Sequence, residues 1–489
     1  MLSVTLIHPG AAKEIYGALA EHSAAEPPLW CRLIGGYLKE HGHRINIVDA
    51  EAEWLSADDV ADRILKSIPR LVVLVVYGHQ PSASTQQMVG ARKTIEAIRN
   101  ILPNQKIVLV GNHCSALPVK TLIEEQVDYV CDGEGPVTID GLLSDQPLAT
   151  IPGLVWRDGD VIRQNTPAPL LDLDKDLHGQ VWDLLPMKSY RAHHWQVFDG
   201  SPRQPYAAIY TSLGCSFKCS FCMINVFQHT NRYRMRSPKA VAAEMLHLVD
   251  VYGVTTFKVI DEMFVLNRQH VLQICNHLID MKLGDKLNIW AYARIDTLKD
   301  QQLLWTMRRA GFRWLGIGIE SASKHVRDGV EKGRFGNEQI LEAVNRVKAE
   351  GIHPGCNYIF GLPDDTLESM QETLDLAIEI NAPYANLYSA MAYPGSPLHT
   401  TAKEKGWLLP EDTDAGWLGY SQHSYQTLPL PTETLTAAEV LAFRDEAFLK
   451  YHQRPEYLDM LRTTFGEGAV TSMQQILAHG KPKRKLLGD

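Results

Sequence analysis

The stretch AAIYTSLGCSFKCSFC, residues 207–222, carries the decisive pattern: a short apolar run closes on Gly214, and three cysteines, Cys215, Cys219 and Cys222, follow at once. An apolar run of that length bounded by glycine reads as a buried strand that enters a loop. The thiols then lie beyond the carboxyl end of a strand, which is where α/β folds place their ligands. Spacers of three and two residues let one loop wrap a metal centre. A cubane iron–sulfur cluster takes one thiolate per iron when the protein ligates it fully, so three thiolates leave one iron open to an outside donor. The competing reading is a structural zinc site, which wants a fourth Cys or His. His229 is the nearby candidate. A loop that follows a barrel strand favours an active site over a staple.

Downstream of this loop, strand-like runs alternate with amphipathic stretches: TTFKVIDEMF, NIWAYARID, WLGIGIESAS, PGCNYIFGLP and ANLYSAMAYPG. With the opening strand they make six strand–helix units over 201–400, a partial (β/α)6 barrel with its chemistry at the carboxyl ends of the strands. Upstream, residues 1–145 show the same alternation, through VTLIHP, RINIVDA, LVVLVVYG, KIVLVG and VDYVCDGEG with helical stretches at 29–41, 57–67 and 84–101. Continuous apolar strands between helices imply a parallel, Rossmann-like α/β sheet. The segment 146–200 is rich in Pro and Gly and reads as a linker with a small hairpin around Arg157–Gly159. Residues 401–489 form a helical, Trp-rich carboxyl-terminal region. There Trp407, Trp417, Tyr420, His423 and Tyr425 could line a pocket or pack a cap.

The motif Cys215-x3-Cys219-x2-Cys222, with Phe221 before the third cysteine, resembles the signature of the radical S-adenosylmethionine superfamily. The resemblance implies a [4Fe-4S] cluster whose open iron chelates S-adenosylmethionine and cleaves it to a 5'-deoxyadenosyl radical, and an electron donor such as flavodoxin or ferredoxin. It also implies roles at strand ends. Asp261 and Glu262 in IDEMF would receive the methionine amino end. Arg294 in YARID, with Glu320 and Ser321 in GIGIES, would end the third and fourth strands, where a bound ribose or carboxylate could partner the buried charge and an internal salt bridge would serve equally well. Gly361 in IFGLP, with Pro363 and the YPGSP segment at 393–397, would approach the adenine side. The α/β domain at the amino terminus, with VLVGNHCSALP (108–118) and VDYVCDGEGP (127–136), is similar to that of the cobalamin-binding subfamily. Gly111, Ser115, Gly133 and Glu134 match positions expected near the corrin. The Asp-x-His-x-x-Gly loop that supplies a cobalt ligand in other cobalamin modules is absent, so neither His79 nor His113 is expected to ligate cobalt.

Composition bounds the rest. A 489-residue chain with 45% hydrophobic and 21% charged residues, and no long apolar run, reads as a globular protein of two or three domains. MLSVTLIHPG lacks the features of a secretory signal, which points to the cytoplasm. A net charge of −9 argues against a nucleic-acid surface. The basic run KPKRK at 481–485 is expected to be a solvated tail. With no export signal, the eight cysteines read as thiols or metal ligands rather than disulfides. Cys31, Cys114, Cys131, Cys275 and Cys356 are expected to be core residues.

Three functions fit these features. Methyl transfer to an unactivated carbon of a small molecule leads, with one S-adenosylmethionine cleaved and a second remethylating cobalt. A radical cyclisation, ring contraction or rearrangement is the alternative, and a cobalamin-binding sensor with a structural cluster is the third. We expect anaerobic reconstitution to load about four irons and four sulfides per chain, and replacement of Cys215, Cys219 and Cys222 by Ala to abolish loading. One tightly bound zinc with no iron would overturn the cluster reading.

Overall fold

The computed structural model describes residues 3–78, 83–333 and 335–489. Seven strands form the first sheet: β1 (Val4–His8), β2 (Ile45–Asp49), β3 (Leu71–Val75), β4 (Ile107–Val110), β5 (Tyr129–Cys131), β6 (Leu154–Asp158) and β7 (Val161–Gln164). They lie in the order β2-β1-β3-β4-β5-β6-β7, parallel as far as β5 and antiparallel beyond it. Every residue of β3, LVVLV, is buried, as a strand covered on both faces requires. The helices start where the sequence caps them. Ser56 accepts the Asp59 amide while the Asp59 carboxylate accepts the Ser56 amide, a capping box that opens helix Ala57–Ser67. Strand order reverses between β1 and β3, so the crevice outside their carboxyl ends is the ligand position of this sheet.

The second sheet contains β8 (Tyr206–Ile209), β11 (Thr256–Val259), β12 (Asn288–Arg294), β13 (Phe312–Glu320), β14 (His353–Phe360) and β15 (Tyr384–Ser389), all parallel and in sequential order. Two short strands, β9 (Ser212–Leu213) and β10 (Arg234–Met235), pair antiparallel on either side of the cysteine loop. The fold class is therefore the expected one, a parallel α/β domain followed by a six-stranded partial barrel. Burial alternates along the later strands. Asn357, Ile359, Asn386 and Tyr388 keep accessible surface, whereas Cys356, Tyr358, Phe360, Ala385 and Leu387 between them are buried. The covering helices hide one set, and the other lines a chamber inside the barrel.

The segment 146–200 is more than a linker. Its hairpin, β6–β7, pairs with β5 and extends the first sheet, and we propose that the first domain runs to Gln164. The remainder sends Leu173, Leu177, Trp182, Tyr190 and Trp195 into a hydrophobic core that runs unbroken from helix Leu29–Glu40 through the barrel. Trp195 stacks on Tyr384 at 4.3 Å and meets Trp290 and Trp314 edge-on at 4.8 and 5.2 Å. These three partners lie near the amino-terminal ends of their strands, so Trp195 closes the barrel floor. The five cysteines outside the loop are all buried, as expected.

The carboxyl terminus departs from expectation. Helices Ala437–His452, Pro455–Phe465 and Glu467–Leu477 pack on the barrel, but the basic run is not wholly solvated. Arg484 is fully buried, bonding both Asp445 oxygens at 2.8 and 2.9 Å and the carbonyls of Gln422 and Ser424. Charge patterning could not reveal a buried acidic partner 39 residues away.

Glu244 is one of the charged groups that tie the halves together. Glu244, on barrel helix Pro238–Tyr252, accepts Arg32 from the first domain at 3.0 Å, Arg236 at 2.6 Å and the Trp182 indole at 3.0 Å. Arg32 also stacks over Trp182 at 3.6 Å. Burial alone would raise the Glu244 carboxyl, but Arg236 and Arg32 outweigh it and hold the group below its ordinary range. Removing this carboxylate leaves two guanidinium groups buried without a counter-charge, a loss of about 3–5 kcal/mol. Glu244→Gln is therefore expected to lower the apparent thermal midpoint sharply; an unchanged midpoint would remove Glu244 as the joint between domains.

Candidate active site

Gly214 turns β9 into the cysteine loop with φ +83, and a Cβ there would lie 2.2 Å from Gln228 Nε2, so only glycine serves. Asn225 closes the loop from inside: its Nδ2 donates to Cys215 O at 2.7 Å and its Oδ1 accepts the Cys215 amide at 3.0 Å. The Ser220 amide bonds Val330 O, and Ser220 O accepts the Leu398 amide. Phe221 packs into two small apolar clusters, one with Leu398 and Leu430 and the other with Val326 and Leu362. It braces the loop from the protein side.

Cys215 and Cys219 are almost buried, while Cys222 keeps accessible surface. Burial pushes its thiol up to about 12 all the same. Thiols held protonated in this way become thiolates when metal binds them, so the donor set fits a cluster. His229, the fourth ligand that zinc would need, instead bonds Asp132 of the first domain at 2.8 Å. Among the described residues no three His, Cys, Asp or Glu side chains gather as a site for one ion. A cube spreads its thiolates over separate irons.

The strand-end residues divide into those whose polar atoms are engaged by the protein and those with a buried atom left unpartnered. Asp261 accepts the Thr211 amide at 2.6 Å and the Thr211 and Ser212 hydroxyls at 2.5 and 2.6 Å, which pins the end of β8 to the end of β11. Glu262 points elsewhere. Its Oε2 is buried without a hydrogen-bond partner, and burial, aided by the charge of Asp261, pushes its carboxyl up to about 8. A carboxyl with one unpartnered oxygen beside the cysteines suits an incoming amino group, whose positive charge would favour its ionised form. The Tyr233 hydroxyl is buried and unpartnered in the same neighbourhood, and nothing in its local sequence marks it.

Glu320 sits at the end of β13 with φ +70 and pairs with Lys332 at 2.5 Å, so its charge is matched within the protein. Ser321 is engaged by its neighbours: its hydroxyl lies 3.2 Å from Thr373 Oγ1 and accepts the Ser323 amide. Gly361 is also used in packing, since a Cβ would fall 2.4 Å from Val440 on the carboxyl-terminal helix. Arg294 leans on the cysteine loop, with Nη1 3.6 Å from Cys219 Sγ. Strand-end spacing alone does not say which way a side chain turns, and for Ser321 that direction is set by Thr373 and Ser323.

In the first domain the expected residues cluster at β4 and β5, to one side of the β1/β3 crevice. Gly111 packs against the Val76 carbonyl, and Ser115 Oγ accepts the Gly133 amide at 3.0 Å. Glu134 accepts the Leu171 amide at 3.0 Å and pairs with Arg234 of the barrel. The crevice itself is flanked by Tyr16 and Glu51, whose phenol and carboxyl burial raises, and by His423, whose ring is 5.7 Å from that of Tyr16. Gln87, whose Nε2 lies 3.4 Å from Glu51, has its Oε1 buried there without a partner, and Asn112 Oδ1, next to Gly111 at the end of β4, is buried without one as well. A corrin rimmed with amide side chains fits such acceptors.

His79 lies outside the described residues. His113 is packed against Trp417, with ring centroids 4.4 Å apart, its Nδ1 lies 3.3 Å from Thr85 Oγ1, and burial pushes it down to about 3. Of the carboxyl-terminal aromatics, Trp417 therefore packs on His113, Tyr420 bonds Glu411 and Tyr425 bonds the Asp489 carbonyl. We expect the Co(II) form of the cobalamin complex to show no axial-nitrogen splitting by EPR. A triplet splitting lost in His113→Ala would prove the expectation wrong.

The comparisons agree with this geometry. Residues 17–143 match the B12 binding domain and residues 209–377 match the radical SAM superfamily, between them more than half of the chain. An uncharacterized methyltransferase of Pyrococcus horikoshii is 28% identical over 88% of this chain and 89% of its own length. The anaerobic magnesium-protoporphyrin IX monomethyl ester cyclase of Cereibacter sphaeroides is 26% identical over 90% of this chain and 68% of its own. The radical S-adenosylmethionine methyltransferase TsrM of Kitasatospora setae, solved with cobalamin and a [4Fe-4S] cluster, shares the fold with a TM-score of 0.70, at 17% identity over 98% of this chain and all of its own. The chain thus belongs to the cobalamin-binding radical S-adenosylmethionine enzymes, with a [4Fe-4S] cluster, S-adenosylmethionine and cobalamin as its cofactors.

Proposed function

We propose that this enzyme methylates an unactivated carbon of a small-molecule substrate. One observation carries the reading: the cysteine loop is fastened directly to the strand ends of the B12 domain. Phe227 lies edge-on to Trp30 and Tyr77 at 5.1 and 5.6 Å, His229 bonds Asp132, and Arg234 pairs with Glu134. A substrate in the barrel chamber then faces both domains at once, the arrangement that proximity catalysis needs. When bound, the cluster supplies the electron that cleaves S-adenosylmethionine and the corrin supplies a transferable methyl group.

The protein's own residues orient and enclose. Asn386 Nδ2 donates to Asn357 Oδ1 at 2.7 Å across the chamber wall, leaving further amide groups for a polar substrate. Trp195 closes the floor, which limits water entry from that end. The methyltransferase names of the Pyrococcus and Kitasatospora proteins support the reading. The cyclase name favours the second reading, a radical cyclisation or rearrangement without net methylation.

Electrons come from an external reductant, for which we propose a flavodoxin or ferredoxin. Eight free thiols suit the reducing cytoplasm, and among the described residues no helix is long and apolar enough to cross a membrane. With the true substrate, methyl transfer is expected to yield 5'-deoxyadenosine and S-adenosylhomocysteine in about equal amounts. Deuterium on the S-adenosylmethionine methyl group should appear in the product. 5'-Deoxyadenosine without S-adenosylhomocysteine would replace methyl transfer with rearrangement.

A further inference from the structure

We propose that Arg294 is a potential-setting residue, whose guanidinium, held against the sulfur of Cys219, makes the bound cluster easier to reduce. The proposal rests on the cluster assignment and adds a function for a side chain that sequence placed at a strand end. Arg294 ends β12 and is 2% exposed. Each of its nitrogens is committed within the protein. Nη1 lies 3.6 Å from Cys219 Sγ, within hydrogen-bonding range for sulfur, Nε donates to Asp296 Oδ1 at 3.0 Å, and Nη2 donates to the Lys332 carbonyl. The guanidinium carbon lies 3.7 Å from the centre of the Phe217 ring, which belongs to the same loop. Four contacts therefore fix the fork, and a cofactor carboxylate would have to displace one of them.

The electrostatics follow from what cluster binding does to Cys219. As a free thiol its sulfur also lies 3.7 Å from the Glu331 carbonyl. A thiolate has no proton to donate, so that contact lapses and Arg294 is left as a donor to the sulfur. One-electron reduction adds negative charge to the cluster. Hydrogen bonds to the ligating sulfurs, and a nearby positive charge, stabilise the reduced form and raise its potential. The effect is strong where water is excluded. Asp296 opposes it, but its side chain is 35% exposed and partly screened by solvent. The pair thus supplies two adjustments of opposite sign on one sulfur.

The test is an anaerobic redox titration of the reconstituted full chain, with the one-electron couple followed by EPR in the absence of S-adenosylmethionine. Arg294→Met is expected to lower the midpoint, so that at the wild-type midpoint the reduced-to-oxidised ratio falls about tenfold, equivalent to about 59 mV. Arg294→Lys should fall between the two, because it keeps charge but loses the fork. Asp296→Asn should move the midpoint upward. A clamp with only a structural role would change iron and sulfide content and leave the midpoint where it was. A fully loaded Arg294→Met with an unchanged midpoint overturns the proposal. If Arg294→Met fails to load, Asp296→Asn decides: a raised midpoint supports the proposal and an unchanged one overturns it. Wild-type protein that takes up no iron would strike the cluster assignment itself.

Discussion

The rest of the site depends on the placement of Arg234. Its guanidinium reaches three parts of the chain: Nε donates to Gln228 of the cysteine loop at 3.0 Å, Nη1 to the Leu171 carbonyl at 2.8 Å, and Nη2 to Glu134 at the end of β5. Glu134 in turn accepts the Leu171 amide. A buried ion pair of this kind gains little net stability once desolvation is counted. What it fixes is geometry. The cysteine loop cannot leave the B12 domain without stranding a buried carboxylate, so the two strand-end faces stay opposed.

That constraint explains why the segment between the domains is so well packed. A flexible tether would let the domains separate and admit water to radical chemistry. Here Trp182 meets the Arg32–Glu244–Arg236 group on one side, and Trp195 fills the barrel floor on the other. The domains share one hydrophobic core. Charge inside that core is matched: Lys258 meets Glu26 at 3.0 Å, both nearly buried. The partly exposed residues of β14 and β15, Asn357, Asn386 and Tyr388 among them, are then left on the inner face of the barrel.

The same economy of buried charge separates two kinds of strand-end residue. Asp261, Glu320 and Glu134 have their lone pairs engaged by protein donors and hold elements in register. Glu262 has an oxygen with none, and Tyr233 a hydroxyl with none. In a cavity, an unpartnered group of this sort costs stability unless a ligand completes it. Polar residues that look alike in sequence thus differ in purpose according to whether their partners come from the protein.

The amino-acid sequence by itself determined the elements and the cluster. Periodicity separates strands from helices because burial is periodic, and three cysteines on one loop are local, so both were legible without a structure. Glycine at 214 was legible as the end of a strand for the same reason. The tertiary structure alone decided which strand ends adjoin. Strand order placed the crevice between β1 and β3, and the segments after β1 and β2 brought Tyr16 and Glu51 to its edge. It also set Ser321 beside Thr373 and Gly361 beside Val440, and gave Arg484 a buried partner in Asp445. These are contacts between residues far apart in the chain, set by side-chain direction and strand order, and no local pattern encodes them.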